Sequence, residues 1–138
     1  MIMVDTTVVI DLWRGRTGVK ECLARNKEEN FCISAITLEE IYDGLGYTKV
    51  KKDKEVYEQI SEQYEKILND FHIIPLNLDI IKKSGLFRGE LRAKGVIIDL
   101  ADIIIMVTSQ EIKAKKIITR NPKHFDESPV QVEFYEKN

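Results

Sequence analysis

The chain has 138 residues, 43% of them hydrophobic and 32% charged, and its 21 Lys and Arg against 23 Asp and Glu leave a formal net charge of -2. That composition reads as a globular protein, and the length suits one domain with a real core, so residues 1–138 are expected to form a single unit. The even charge balance excludes a protein that grips nucleic acid by bulk positive charge and leaves room only for a local basic rim.

In chain order, IMVD reads as a short strand ending in Asp5, followed by helical segments TVVIDLWRG and VKECLARNKE. FCIS is the second strand, and TLEEIYDGLGY has helical period, with Leu38, Ile41 and Leu45 forming an apolar stripe and Glu40 projecting away from it. The Lys-rich stretch YTKVKKDKE reads as the solvated start of a helix that continues through KEVYEQISEQYEKILND. Next come the strand HIIPL, the helical LDIIKKSGLFRGELRAKG, the apolar GVIIDLADIIIMV, and the strands KIIT and QVEFY, the last at an edge. Short apolar strands alternating with helices predict an α/β fold, its parallel sheet buried between helices on both faces.

Several chemistries drop out. Cys22 and Cys32 form no C-x-x-C pair and read as reduced, buried thiols, and with His72 and His124 the only imidazoles, a zinc site would need distant partners. No phosphate-cradling glycine loop is present. MIMVDTT lacks the basic start and cleavage site of a secretory signal, and no apolar run is long enough to span a bilayer, so a cytoplasmic location is expected.

Acidic residues remain. Ligands of parallel α/β sheets gather outside the carboxyl ends of the strands, where Asp5 falls, but an Asp before TTVVIDLW also suits a helix N-cap, and both readings stay open. Asp11 is assigned to a solvated face or a local charge pair. Thr37-x-x-Glu40 fits a capping box, an explanation of Glu40 that needs no chemistry. Asp99 can cap the helix that follows it. Asp102, at that helix's third position, is harder to explain, because Ile103 to Val107 leave little polar face and an enclosed carboxylate costs several kcal/mol unless compensated. If Asp5, Glu40 and Asp102 converge, charges about 4 Å apart repel by roughly 4 kcal/mol at an effective dielectric near 20. Such a cluster calls for a hard divalent cation, Mg²⁺ or Mn²⁺.

MVDTTVVIDLWRG, ISAITLEEIYDGL, GVIIDLADIIIMV and IITRNPKHF, in this order across essentially the whole chain, resemble the motifs of the PIN-domain ribonucleases, with the small VapC toxins of toxin–antitoxin pairs most similar in length. The resemblance implies a five-stranded parallel sheet in a three-layer α/β/α sandwich. It further implies Mg²⁺- or Mn²⁺-dependent endoribonuclease activity, dimerisation, and inhibition by a small VapB-type antitoxin. Asp5, Glu40 and Asp102 fall on the family's acids, with Asp99 as a supporting ligand. Two positions depart from the pattern: Thr7 stands where many relatives have Asn, and Asn121 where a fourth acid is frequent, which favours one well-held ion with a second recruited by substrate phosphate.

The expected roles follow. Asp5 and Asp102 are the principal ligands, Glu40 binds or orients the attacking water, and Asn121 and Thr6 steady the site by hydrogen bonds. Among the basic residues around KIIT, Arg120 and Lys123 are the phosphate candidates, the others being solvated charge. Trp13, Phe125 and Tyr135 read as core or interface residues. Two competing readings are a non-catalytic PIN-like RNA- or protein-binding module, motivated by Asn121, and a phosphoacceptor receiver domain, disfavoured because FCIS, HIIPL and KIIT supply no second strand-end Asp.

Overall fold

The computed structural model describes residues 1–138. Strand β1 (Ile2–Val4) leads into α1 (Thr6–Trp13) and α2 (Thr17–Arg25); β2 (Phe31–Ser34) is followed by α3 (Ala35–Lys51) and α4 (Lys54–Leu68); β3 (His72–Ile74) by α5 (Leu78–Ala93) and α6 (Leu100–Glu111). β4 (Ile117–Thr119), a 3-10 turn at Pro122–Phe125 and β5 (Val132–Phe134) complete the chain.

All five strands are parallel, in the order β3-β2-β1-β4-β5. The period-two alternation of side chains divides the interior between the two faces of this sheet. Ile2, Val4, Ile33 and Ile118 point to one side, where they meet Val8, Val9, Val19, Ile41, Leu45 and Leu68 from α1 to α4. Met3, Cys32 and Ile117 point to the other, against Ile80 and Leu91 of α5 and Ile103, Ile105 and Met106 of α6. The result is the expected three-layer sandwich. Cys22 and Cys32 are free and buried. No helix is long and apolar enough to cross a membrane.

The topology locates the site. The chain steps outward from β1 through β2 to β3, then returns to place β4 on β1's other side, so the direction of winding reverses between β1 and β4. Side chains just beyond Val4 and Thr119 border the crevice that such a reversal opens. A receiver-type sheet has the order 2-1-3-4-5 and opens its crevice between the first and third strands.

Three local expectations need correction. Asp53 rather than Tyr47 marks the start of α4, because α3 continues through YTKVK to Lys51, with Lys49 and Lys51 in its last turn, where cations favour the helix dipole. Ser34, not Thr37, caps α3: its hydroxyl accepts from Ile36 N at 3.1 Å, while Thr37 lies within the helix and is fully buried, so no capping box forms. HIIPL, expected to be buried in the sheet like the other strands, is largely exposed. β3 ends the sheet, with Ile73 44% exposed.

Two glycines are expected to respond oppositely to alanine. A Cβ on Gly18 at the start of α2 would overlap the backbone carbonyl of Glu136, in the segment whose Asn138 carbonyl accepts from Thr17 N at 2.9 Å. Overpacking against backbone costs about 1–3 kcal/mol, more than the roughly 0.5–1 kcal/mol that replacing a helical glycine returns. Gly18→Ala should therefore lower the melting temperature. Gly85→Ala, in open space within α5, should raise it by the propensity gain alone; equal shifts in one direction would contradict this packing.

Candidate functional site

Asp5 follows directly after β1 and is 4% exposed. Its Oδ1 accepts from Thr7 N at 3.0 Å, capping α1, and also from the Thr7 hydroxyl. Oδ2 accepts from Thr119 Oγ1 at 2.7 Å. Both readings of Asp5 hold: one carboxylate caps the helix and borders the crevice. Burial pushes its pKa up, against the downward pull of the Thr7 and Thr119 bonds.

Asp99 stands at the N-cap position of α6 but its side chain makes no capping bond, contrary to the capping expectation. Its exposed carboxylate is left to the crevice. Asp102, one turn on, has 16% side-chain exposure, and the helix behind it is buried from Ile103 to Ser109. This enclosure, reinforced by the negative charges of Asp5, Asp99 and Glu40, raises the Asp102 pKa to about 6, although His124, with Nδ1 at 3.3 Å from Oδ2, pulls the other way.

Glu40 reaches the same place from α3. Thr6 Oγ1 lies 2.5 Å from Glu40 Oε1 and 3.0 Å from the buried Thr37 hydroxyl, so α1 and α3 are joined at the rim and the Glu40 carboxylate is steered inward. Asp5, Glu40, Asp99, Asp102, Asn121 and Thr6 line one depression, together with His124. Lys123 borders an adjoining one with Asp99, Asp102 and His124. No three of the His, Cys, Asp and Glu side chains are drawn tightly enough to form a finished metal cage. The donors are nevertheless carboxylate, amide and hydroxyl oxygens, the set suited to a hard divalent cation that keeps some of its waters.

Arg120, expected to contact phosphate, is turned toward α1. Its Nε donates to Asp11 Oδ2 at 2.8 Å, and it does not line either depression. Asp11 is correspondingly not on a solvated face: it is fully buried, in a charge pair with Arg120 and Arg16. Sequence reasoning left Thr7 and Thr119 without their bonds to Asp5 and counted His124 as surface charge. Thr119 was discoverable, since Val4 pairs with Ile118 and the next residues of two parallel strands are therefore neighbours.

A carboxyl whose pKa is higher in the folded than in the unfolded chain favours folding most below the unfolded value of 3.8, and that contribution is lost as pH rises through about 6. In chelator, Asp102→Asn should consequently melt above the wild type at about pH 7, with the difference shrinking between about pH 6 and pH 4 and gone below it. A pH-independent difference between the two melting curves would mean that Asp102 carries no such strain.

The family model for the PIN domain matches residues 2–129. Ribonuclease VapC1 of Methanocaldococcus jannaschii is 28% identical over 127 residues, covering 91% of this chain and 79% of that protein. Among solved structures, VapBC2 from Rickettsia felis bound to a DNA fragment from its promoter is similar with a TM-score of 0.82 at 26% identity, over 99% of this chain and all of the other. A toxin–antitoxin complex from Klebsiella pneumoniae reaches 30% identity and a TM-score of 0.68, over 94% and 93% of the two chains. With its sheet order, its crevice acids and a family match over nearly its whole length, the chain belongs to the PIN domain family.

Proposed function

We propose that this protein is a metal-dependent endoribonuclease, the toxin of a toxin–antitoxin pair, that hydrolyses RNA phosphodiester bonds with Mg²⁺ or Mn²⁺. The observation that carries the reading is the meeting of four carboxylates, from Asp5, Glu40, Asp99 and Asp102, in one depression at the carboxyl ends of β1 and β4. The ribonuclease activity in the name of the Methanocaldococcus jannaschii relative and the VapBC complexes among the structural relatives support it.

Asp5 and Asp102 would be the principal ligands of the cation, with Asp99 in support. When bound, a hard divalent cation lowers the pKa of water, polarises the phosphate and stabilises the departing oxygen. Glu40, held by Thr6, orients the attacking water and takes up its proton. Asn121 adds a neutral oxygen to the depression, and Lys123 at its margin meets the RNA phosphate. Water attacks phosphorus as the bond to the 3'-oxygen breaks, and that oxygen leaves with a proton, giving a 5'-phosphate. The partners proposed are a VapB-type antitoxin and a second copy of this chain in a homodimer. A non-catalytic binding module is not favoured, because the acids still share one depression despite Asn121.

Asp5→Asn keeps an N-cap of similar strength while removing the charge. It should fold normally and lose RNA cleavage by about a hundredfold or more, as happens when a preorganised charge-stabilising group is removed; wild-type turnover by the folded variant would overturn the reading. Mg²⁺ at about 100 times its Kd should stabilise the wild type by about 2.7 kcal/mol. That gain, read as a rise in melting temperature, should be absent from Asp5→Asn.

A further inference from the structure

Asp11 lies two turns along α1 from the crevice and has no exposed surface. Its Oδ2 accepts from Arg120 Nε at 2.8 Å and from the Tyr135 hydroxyl at 2.7 Å. Oδ1 faces Arg16 Nε at 3.3 Å without a well-aligned hydrogen bond. Burying an ion pair is weak evidence for stability, since hydrocarbon side chains of similar volume commonly do as well; the better-attested use of such a pair is to fix one geometry.

The geometry here is that of the turn leaving β4. Arg120 sits between Thr119, whose hydroxyl donates to Asp5, and Asn121, which lines the crevice. Its own backbone N donates at 3.2 Å to the Thr7 hydroxyl, which in turn donates to Asp5. Asn121 N donates to Thr119 Oγ1 at 2.9 Å. The backbone of this turn thus touches Asp5 through Thr7 and Thr119, while the Arg120 side chain reaches back to Asp11. The N-cap, first turn and second turn of α1 therefore all hold the Thr119–Arg120 part of the turn.

We propose that Asp11 is a positioning residue, which through Arg120 holds the Thr119–Asn121 turn against Asp5 and so fixes the direction in which the Asp5 carboxylate and Asn121 present their oxygens. The proposal rests on the metal-nuclease reading of the site and assigns Arg120 to this anchor rather than to RNA. Groups that orient a metal ligand commonly change metal affinity by about 10- to 100-fold when removed, and a misplacement of about 1 Å can cost roughly a hundredfold in rate.

Because removal of a single hydrogen-bonded partner strands the others, the test replaces all three of them with hydrocarbon, Asp11→Leu, Arg120→Met and Tyr135→Phe together, and leaves Arg16, which makes no hydrogen bond to Asp11 and has a side chain 26% exposed to solvent. Circular dichroism and thermal melting follow the fold, the free-ion spin-resonance signal of Mn²⁺ measures affinity in the absence of RNA, and steady-state cleavage separates kcat from KM. The expected triple variant is folded and melts cooperatively, binds Mn²⁺ about tenfold or more weakly, and shows reduced kcat with KM little changed. A folded variant with wild-type Mn²⁺ affinity and kcat overturns the proposal. So does a change confined to KM, which would return Arg120 to the RNA phosphate, and so does an unfolded variant, which would make the knot a pillar of stability. A wild type that neither binds Mn²⁺ nor cleaves RNA removes the nuclease reading itself, and this inference with it; an active wild type beside an indifferent triple variant removes this inference alone.

Discussion

The enclosure of Asp5 is the constraint on which the rest of the site depends. A carboxylate with 4% exposure would be untenable at the edge of a hydrocarbon core without donors, and the fold supplies them from two directions: the opening of α1 and the end of β4. Both arrive because β1 and β4 are parallel neighbours, so their carboxyl ends deliver Asp5 and Thr119 side by side. Sheet topology, helix capping and site electrostatics are therefore one arrangement seen at three scales. The winding reversal that brings β4 next to β1 also leaves the gap into which Glu40, Asp99 and Asp102 enter from other elements.

Much of the architecture was readable before any coordinates. The apolar runs around Met3, Ile33 and Ile118 are too short for helices and end in polar residues, which is how buried parallel strands look, and the helices between them dictate parallel pairing. The acids were readable for a related reason: Asp5 closes a strand, and Asp102 stands at the start of a helix with almost no polar face. Capping and edge assignment were harder. Ser34 and Thr37 are both plausible caps by composition, and only the point at which the backbone leaves β2 decides between them. HIIPL has an interior strand's composition, but no local feature says on which side of a sheet the chain stops adding strands.

Least visible were the contacts that join remote segments. Asp11 meets Tyr135 across a sequence separation of 124 and Arg120 across 109, and nothing in IDLW distinguishes a buried carboxylate from a solvated one. His124 is similar: within NPKHF it looks like surface charge until the turn beginning at Pro122 brings it to Asp102. Charge count misleads in the same way. A net charge of -2 says nothing of the four carboxylates that meet in the crevice with Lys123 at its margin, nor of Arg16 and Arg120, which are drawn toward an interior partner.

The Asp5 carboxylate does two jobs with the same atoms, whereas Glu40 is exposed and is held by a single threonine contact. Should a lineage come under pressure to disarm this protein, the two positions offer unequal exits. At Glu40 many replacements silence the chemistry and leave the scaffold intact. At Asp5 most replacements also unseat the first turn of a helix, so the surviving dormant copies should accumulate their lesions at the rim and keep the acid at its centre.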